Sequence, residues 1–146
     1  MIGLGFIAVL VSPPSQIPLL GLWLTKDRDA EVRLAPCAAD AHLVCGSIEK
    51  ILDPSEIGAL DDNNPDPGLR MRHVEGITIL SHFRLTSGPQ GTVWQDGQAY
   101  DPDKGKTYSG LELRLQDSRH LVLSKSLNLA GVKATLSEEV WTRLGN

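Results

Sequence analysis

Ser81 and His82 stand side by side in ITILSHFRL, and a serine next to a histidine is the raw material of a nucleophile and its base. In a regular strand, however, neighbouring side chains point to opposite faces, so the hydroxyl is expected to miss the imidazole and the two make no catalytic pair. The other histidines, His42, His73 and His120, lack ligand spacing such as H-x-x-x-H and read as surface residues. Asp101, Asp103 and Gly105 imitate the opening of a calcium loop. The bidentate acid such a loop needs at its last position would be Glu112, which apolar alternation places inside a strand, so a turn is the better reading. The DDNN run at 61–64 offers oxygens as well, but Asp and Asn there more simply bond their own backbone in Asx turns. The chain has no glycine-rich phosphate cradle and no nucleophile elbow. No cofactor, no metal and no enzymatic activity is expected.

Two other pairs bear on binding and on compartment. Arg70 and Arg72 in NPDPGLRMR would offer fork-like donors to a carboxylate or phosphate head group if they turned inward. Turned outward they are a solvated edge. A third arrangement, preferred to the first, pairs them with Asp61, Asp62 or Asp66 to hold the surrounding loop. Apolar-periodic runs flank the turn-like CAADAH, so Cys37 and Cys45 can face each other near the mouth of a hairpin, where neighbouring strands supply the roughly 4.4–6.8 Å Cα separation that a disulfide requires. Two cysteines with no His beside them make a poor zinc site. A disulfide is favoured over two free thiols, conditional on export from the cytosol.

The elements that must position these groups are strands. In TYSGLELRLQ, residues Leu111, Leu113 and Leu115 fall on one parity and Glu112, Arg114 and Gln116 on the other, the period of a half-buried strand. Similar stretches recur: GLWLT (Gly21 to Thr25), AEVRLA (Ala30 to Ala35), HLVCGSIEKIL (His42 to Leu52), ITILSHFRL, TVWQDGQAY, LVLSKS and EEVWTRL (Glu138 to Leu144). In ITILSHFRL the alternation puts Ile77, Ile79 and Phe83 on one face, and Thr78, His82 and Arg84 on the other. Turn clusters KDRD, TSGPQG, DPDKGK and DSRH separate the strands at hairpin spacing. One long irregular connection, about residues 53–75, is interrupted by Pro54, Gly58, Pro65, Pro67 and Gly68. Within it SEIGAL reads as one helical turn and PGLRMR as another. The architecture expected is all-β: an antiparallel up-and-down barrel of about eight to ten strands.

At 146 residues, with 41% apolar and 22% charged residues, the chain fits one globular domain, here 17–146. Its net charge of −4, its scattered Lys and Arg and its 5% aromatic content exclude nucleic acid as an expected partner. Residues 1–16 differ from the rest. Ile2 to Val11 are an unbroken apolar run, too short to span a bilayer as a helix but the right length for a secretory signal, although no basic residue precedes it and no A-x-A site follows. A signal peptide, with a periplasmic or secreted product and no transmembrane span, is the reading preferred to an apolar arm packed on the domain.

GLWLT, PC…CG, NPDPGLRMR, GITILSHF, GQAYDPDKGKTYSGLELRL and a terminal WTR occur here in an order and spacing that resemble the bacterial domain-of-unknown-function family 2147. The resemblance spans about Leu20 to Leu144 and implies a lipocalin-like or fatty-acid-binding-protein-like barrel, a periplasmic address and no assigned activity. Family members tend to carry a further Cys where this chain has SKSLNLAGVKATLSEEV, so Cys37 and Cys45 have only each other. GLW also resembles the Gly-x-Trp that opens the first lipocalin strand, where the ring plugs one barrel end beneath an Arg from the last strand. Trp23 and Arg143 hold the matching places in a structural role.

The function that emerges is binding of a small hydrophobic or amphipathic molecule inside the barrel. Its expected lining is Val32, Leu34, Val44, Ile48, Ile77, Ile79, Phe83, Leu111, Leu113, Leu121 and Leu123, with Tyr108, Arg70 and Arg72 as polar contacts. The alternative is a non-catalytic structural or envelope-interaction protein whose barrel those side chains fill. An interior of roughly 300 Å³ or more separates the first from the second.

Overall fold

The computed structural model describes residues 18–88 and 91–145. The apolar segment 1–16 and part of the TSGPQG turn lie outside the described residues. Eight antiparallel strands follow one another: β1 (Gly21–Leu24), β2 (Ala30–Pro36), β3 (Leu43–Ile51), β4 (Thr78–Gly88), β5 (Gly91–Asp101), β6 (Lys106–Asp117), β7 (His120–Leu129) and β8 (Val132–Gly145). Each pairs with its neighbour in sequence, and β8 returns to pair with β1, so the meander closes into a barrel with no free edge.

The alternating residues of β2, β3 and β6 face inward as their parity requires. Val32, Leu34, Val44, Leu111 and Leu113 are buried, joined by Trp23, Trp94, Phe83, Leu121 and Trp141. Two glycines make room. Gly46 lies against Leu34 and Leu80, and a Cβ on Gly97 would sit 2.1 Å from the Phe83 ring. Gly97→Ala is therefore expected to force the ring aside and to lower stability by about 2–3 kcal/mol, read as a drop in the urea midpoint.

The expected faces of β4 need correction. Leu80, not Ile79, is the fully buried partner of Phe83. The pairings Val44↔Phe83, Gly46↔Leu80 and Ser47↔Thr78 skip residues on β4, and these bulges shift its phase. Within one bulge His82 takes φ 65. That backbone turns the imidazole onto Ser81, with Nδ1 3.0 Å from Oγ, contrary to the opposite-face expectation. SEIGAL forms successive turns instead of a helical one, whereas Pro67–Leu69 is a 3-10 turn capped by Asp66. β7 and β8 run beyond LVLSKS and EEVWTRL to meet at Ala130 and Gly131, both at positive φ as a tight hairpin demands.

Cys37 and Cys45 form a disulfide across the β2–β3 hairpin, with Cα atoms 4.9 Å apart. Replacing both by serine frees the denatured chain at a loop of 8 residues' separation. The expected loss is about 2–3 kcal/mol on the chain-entropy model, measured by equilibrium unfolding with and without reductant.

Candidate functional site

The two ends of the barrel differ. At one, Trp23 on β1 is fully buried and donates Nε1–H to the Leu19 carbonyl at 3.0 Å. Arg143, paired with it across β1–β8, lays its guanidinium 4.3 Å from the ring centroid. The same side chain donates to the carbonyls of Ser118 at 2.8 Å, Leu20 at 2.9 Å and Pro18. The plug closes the lumen here, with an open cleft of about 760 Å³ outside it bordered by Leu20, Leu34, Leu115 and Arg143, while Phe83, Trp94, Leu113 and Leu121 fill the lumen on its inner side.

The other end is a cup. A cavity of about 630 Å³ opens above Leu80, Leu111, Leu123 and Trp141, with Tyr108 on its wall. The β1–β2 turn and the β5–β6 turn form its rim. The register Leu111↔Lys125, Leu123↔Glu139 and Leu121↔Trp141 puts Lys125 and Glu139 on the inner face. Lys125 Nζ lies 5.0 Å from the Tyr108 ring centroid, and Glu139 Oε1 accepts the Trp141 Nε1–H at 2.6 Å. Both charged residues were absent from the expected lining. Continuing the parity of Leu121 and Leu123 one step would have reached Lys125.

Beside this cup a second cavity of about 450 Å³ lies under the long connection, sharing Thr25, Asp29, Ile79 and Pro102 with the first. Its floor is Ile48, Ile51, Val74 and Ile79; Ile77 packs with them in the same small apolar group.

A buried polar latch holds that connection in place. Asp61 is 0% exposed and accepts from Tyr100 Oη at 2.6 Å, Asn64 Nδ2 at 2.8 Å and Arg72 Nε at 3.0 Å. Burial pushes its carboxyl pKa up, but the hydrogen bonds from Tyr100, Asn64 and Arg72 outweigh that and hold it below the usual carboxylate range. Tyr100, desolvated and facing this anion, is pushed up to about 12. Asn63 Nδ2 donates to the Asp103 carbonyl at 2.9 Å, and Gly105 in the same turn sits so close that a Cβ would lie 1.9 Å from the Asn63 oxygen.

The expected lining thus divides. Ile48, Ile79, Tyr108, Leu111 and Leu123 border the two cavities, while Val32, Val44, Phe83, Leu113 and Leu121 belong to the packed core, as does Leu34. Arg72 is engaged by Asp61 and Arg70 donates to the Asn64 carbonyl at 2.8 Å, the loop-holding arrangement; neither borders these cavities. Asp101 Oδ1 accepts the Asp103 N–H at 3.0 Å, an Asx turn where the sequence imitated a calcium loop.

No curated protein matches this sequence. Among solved structures, a Helicobacter pylori protein, HP1028, described as belonging to the lipocalin family, matches 88% of this chain and 84% of its own, with a TM-score of 0.67 and 23% identity. At that identity the likeness concerns the fold. The family model described as an uncharacterized protein conserved in bacteria (DUF2147) matches residues 21–143, nearly the whole barrel from Gly21 to Arg143. With eight up-and-down strands, a Trp–Arg plug at one end and that match along its length, the chain belongs to the DUF2147 family and has a lipocalin-like barrel.

Proposed function

We propose that the protein is an exported, non-catalytic carrier that holds a small amphipathic molecule in the open end of its barrel. The observation that carries this reading is the cup of about 630 Å³, apolar at its floor and charged at its rim, well above the roughly 300 Å³ that a small ligand needs. Its floor of Leu80, Leu111, Leu123 and Trp141 would take an apolar body, and Tyr108, Lys125 and Glu139 would meet a polar end. Export is supported by the Cys37–Cys45 disulfide and by the charge-free apolar run at residues 2–11, with residues 1–16 as signal peptide and 17–146 as the mature domain. Among the described residues no helix is long and apolar enough to cross a membrane.

The packed lumen below the cup favours a second reading, a structural barrel that holds nothing. Native mass spectrometry of the protein purified from its own cell envelope, followed by titration with amphiphiles monitored through tryptophan fluorescence, separates the two. A carrier retains or takes up one small molecule, and Leu123→Phe, which narrows the cup at its floor, weakens uptake severalfold with little change in Tm. A bare mass together with no response to any amphiphile would leave the structural reading.

A further inference from the structure

We propose that the far end of the β7–β8 hairpin is a flap that completes the binding site, its apolar inner face closing over an occupied cup. The inference rests on the carrier reading and adds the residues that cover the occupant. The β7–β8 ladder runs on to Leu129↔Val132, whereas the neighbouring ladders stop lower down: β6 leaves β7 at Leu111↔Lys125, and β1 leaves β8 at Leu24↔Thr142. Residues 126–136 therefore rise above the rim as a two-stranded ribbon, with no strand paired to either outer edge among the described residues. At about 3.3 Å per residue, the backbone at Leu129 stands about 13 Å beyond Lys125. A ribbon of two strands is only marginally stable by itself.

Side-chain parity decides which way the ribbon faces. No residue of β7 is skipped in its pairing with β8, so Leu127 follows Leu121, Leu123 and Lys125 on the inner face, and the pairs Leu127↔Ala134 and Leu129↔Val132 bring Ala134 and Val132 to the same side. An apolar face thus continues the cup wall upward past Lys125 and Glu139. Leu127 is 44% exposed and Val132 68%, and neither borders the cup, so the ribbon stands clear of the mouth. The register supplies a hinge at the level where β6 ends. Lys125↔Ser137 is followed by Ser126↔Thr135, which leaves Leu136 as an extra residue, and a bulge of this kind bends the strand that carries it. Ser124, Lys125, Ser137 and Glu138, next to that bulge, border the cup. Bending there toward the barrel axis lays Leu127 and Val132 on the molecule the cup holds, takes their side chains out of water and shields the polar contacts of Lys125 and Glu139.

The test adds decyltrimethylammonium, decanoate and decyl maltoside, each below its micelle-forming concentration, to the full-length mature protein and follows amide hydrogen exchange and the rate of probe release. Every probe that binds is expected to slow exchange of the amides of 126–136 about tenfold, while those of the β6–β7 turn at the closed end keep their rates. The double variant Leu127→Ser/Val132→Ser changes two exposed side chains, so Tm is expected to stay unchanged while release of the probe quickens about fivefold and the slowing across 126–136 is lost. A probe that binds without slowing exchange in the ribbon, or a variant that releases it at the wild-type rate, overturns the proposal and leaves the carrier reading standing. Slowing that follows protein concentration with no probe present identifies the face as a contact between copies and overturns it too. Binding of none of the three overturns the carrier reading and this inference with it.

Discussion

Asp61→Ala is expected to destabilise the protein by about 3 kcal/mol, lowering Tm by about 10 °C, the largest polar effect in the molecule. The reason is that one buried carboxylate is the common acceptor of Tyr100, Asn64 and Arg72. Truncation strands all three donors, and two of them come from the connection that roofs the small cavity. Arg72 is partly exposed, which is why the figure sits at the low end of the range for broken buried pairs. Tyr100→Phe, which removes one donor and leaves the others, is expected to cost about 1 kcal/mol.

The same network sets the pH limits. Asp61 has a folded pKa held below the unfolded carboxylate value, so its contribution is present above about pH 4 and is lost as pH falls through the depressed value. Tyr100 has a raised pKa, about 12 against the ordinary 10.0 of a tyrosine. Its contribution is complete below the unfolded value and is lost as pH rises through the folded one. Wild type is therefore expected to lose stability steeply between pH 10 and 12, and Tyr100→Phe to lack that part of the fall. A Tm-against-pH profile with identical alkaline limbs in the two proteins would show that Tyr100 is not held by Asp61.

Trp23→Ala is the larger apolar counterpart, with an expected loss of about 4 kcal/mol. Trp23 is fully buried, so deletion opens a void at the closed end and also abandons the Leu19 carbonyl and the face on which Arg143 rests. Arg143→Ala is expected to cost less, about 1–2 kcal/mol, because the carbonyls it leaves near the barrel rim regain water. Arg143→Lys is expected to restore little, since a single ammonium cannot reach Leu20 and Ser118 together while stacking on indole. Thermal unfolding of the three variants tests the ranking. Equal losses for Trp23→Ala and Arg143→Ala would mean that the plug acts as one unit with most of its energy in the guanidinium.

The cup lies at the opposite end from this plug. The disulfide and the Trp–Arg pair stabilise the β1–β2–β3 side of the closed end, and the latch around Asp61 places the roof of the open one. Substitutions at the plug should therefore change stability and leave binding alone, whereas those at the latch bear on both.

Much of this was legible in the residues. Alternation in AEVRLA and LELRL, with turn clusters at hairpin spacing, is a local property: side-chain parity and turn chemistry act within a few residues and together dictate a one-sided meander that must close to bury its apolar face. The Cys37–Cys45 bond and the Trp23–Arg143 stack belong to the same legible part, the first through short separation and the second through resemblance. Three features were decided only in three dimensions. The bulges of β4 that bury Leu80 and turn His82 onto Ser81 follow from fitting β4 against β3, and no residue of ITILSHFRL announces them. The inward charges Lys125 and Glu139 contradict the rule that inner faces are apolar, and they are tolerated because the barrel is open where they lie. The latch joins Asp61 to Tyr100 across 39 residues, a distance over which sequence carries no information about contact until the sheet has closed.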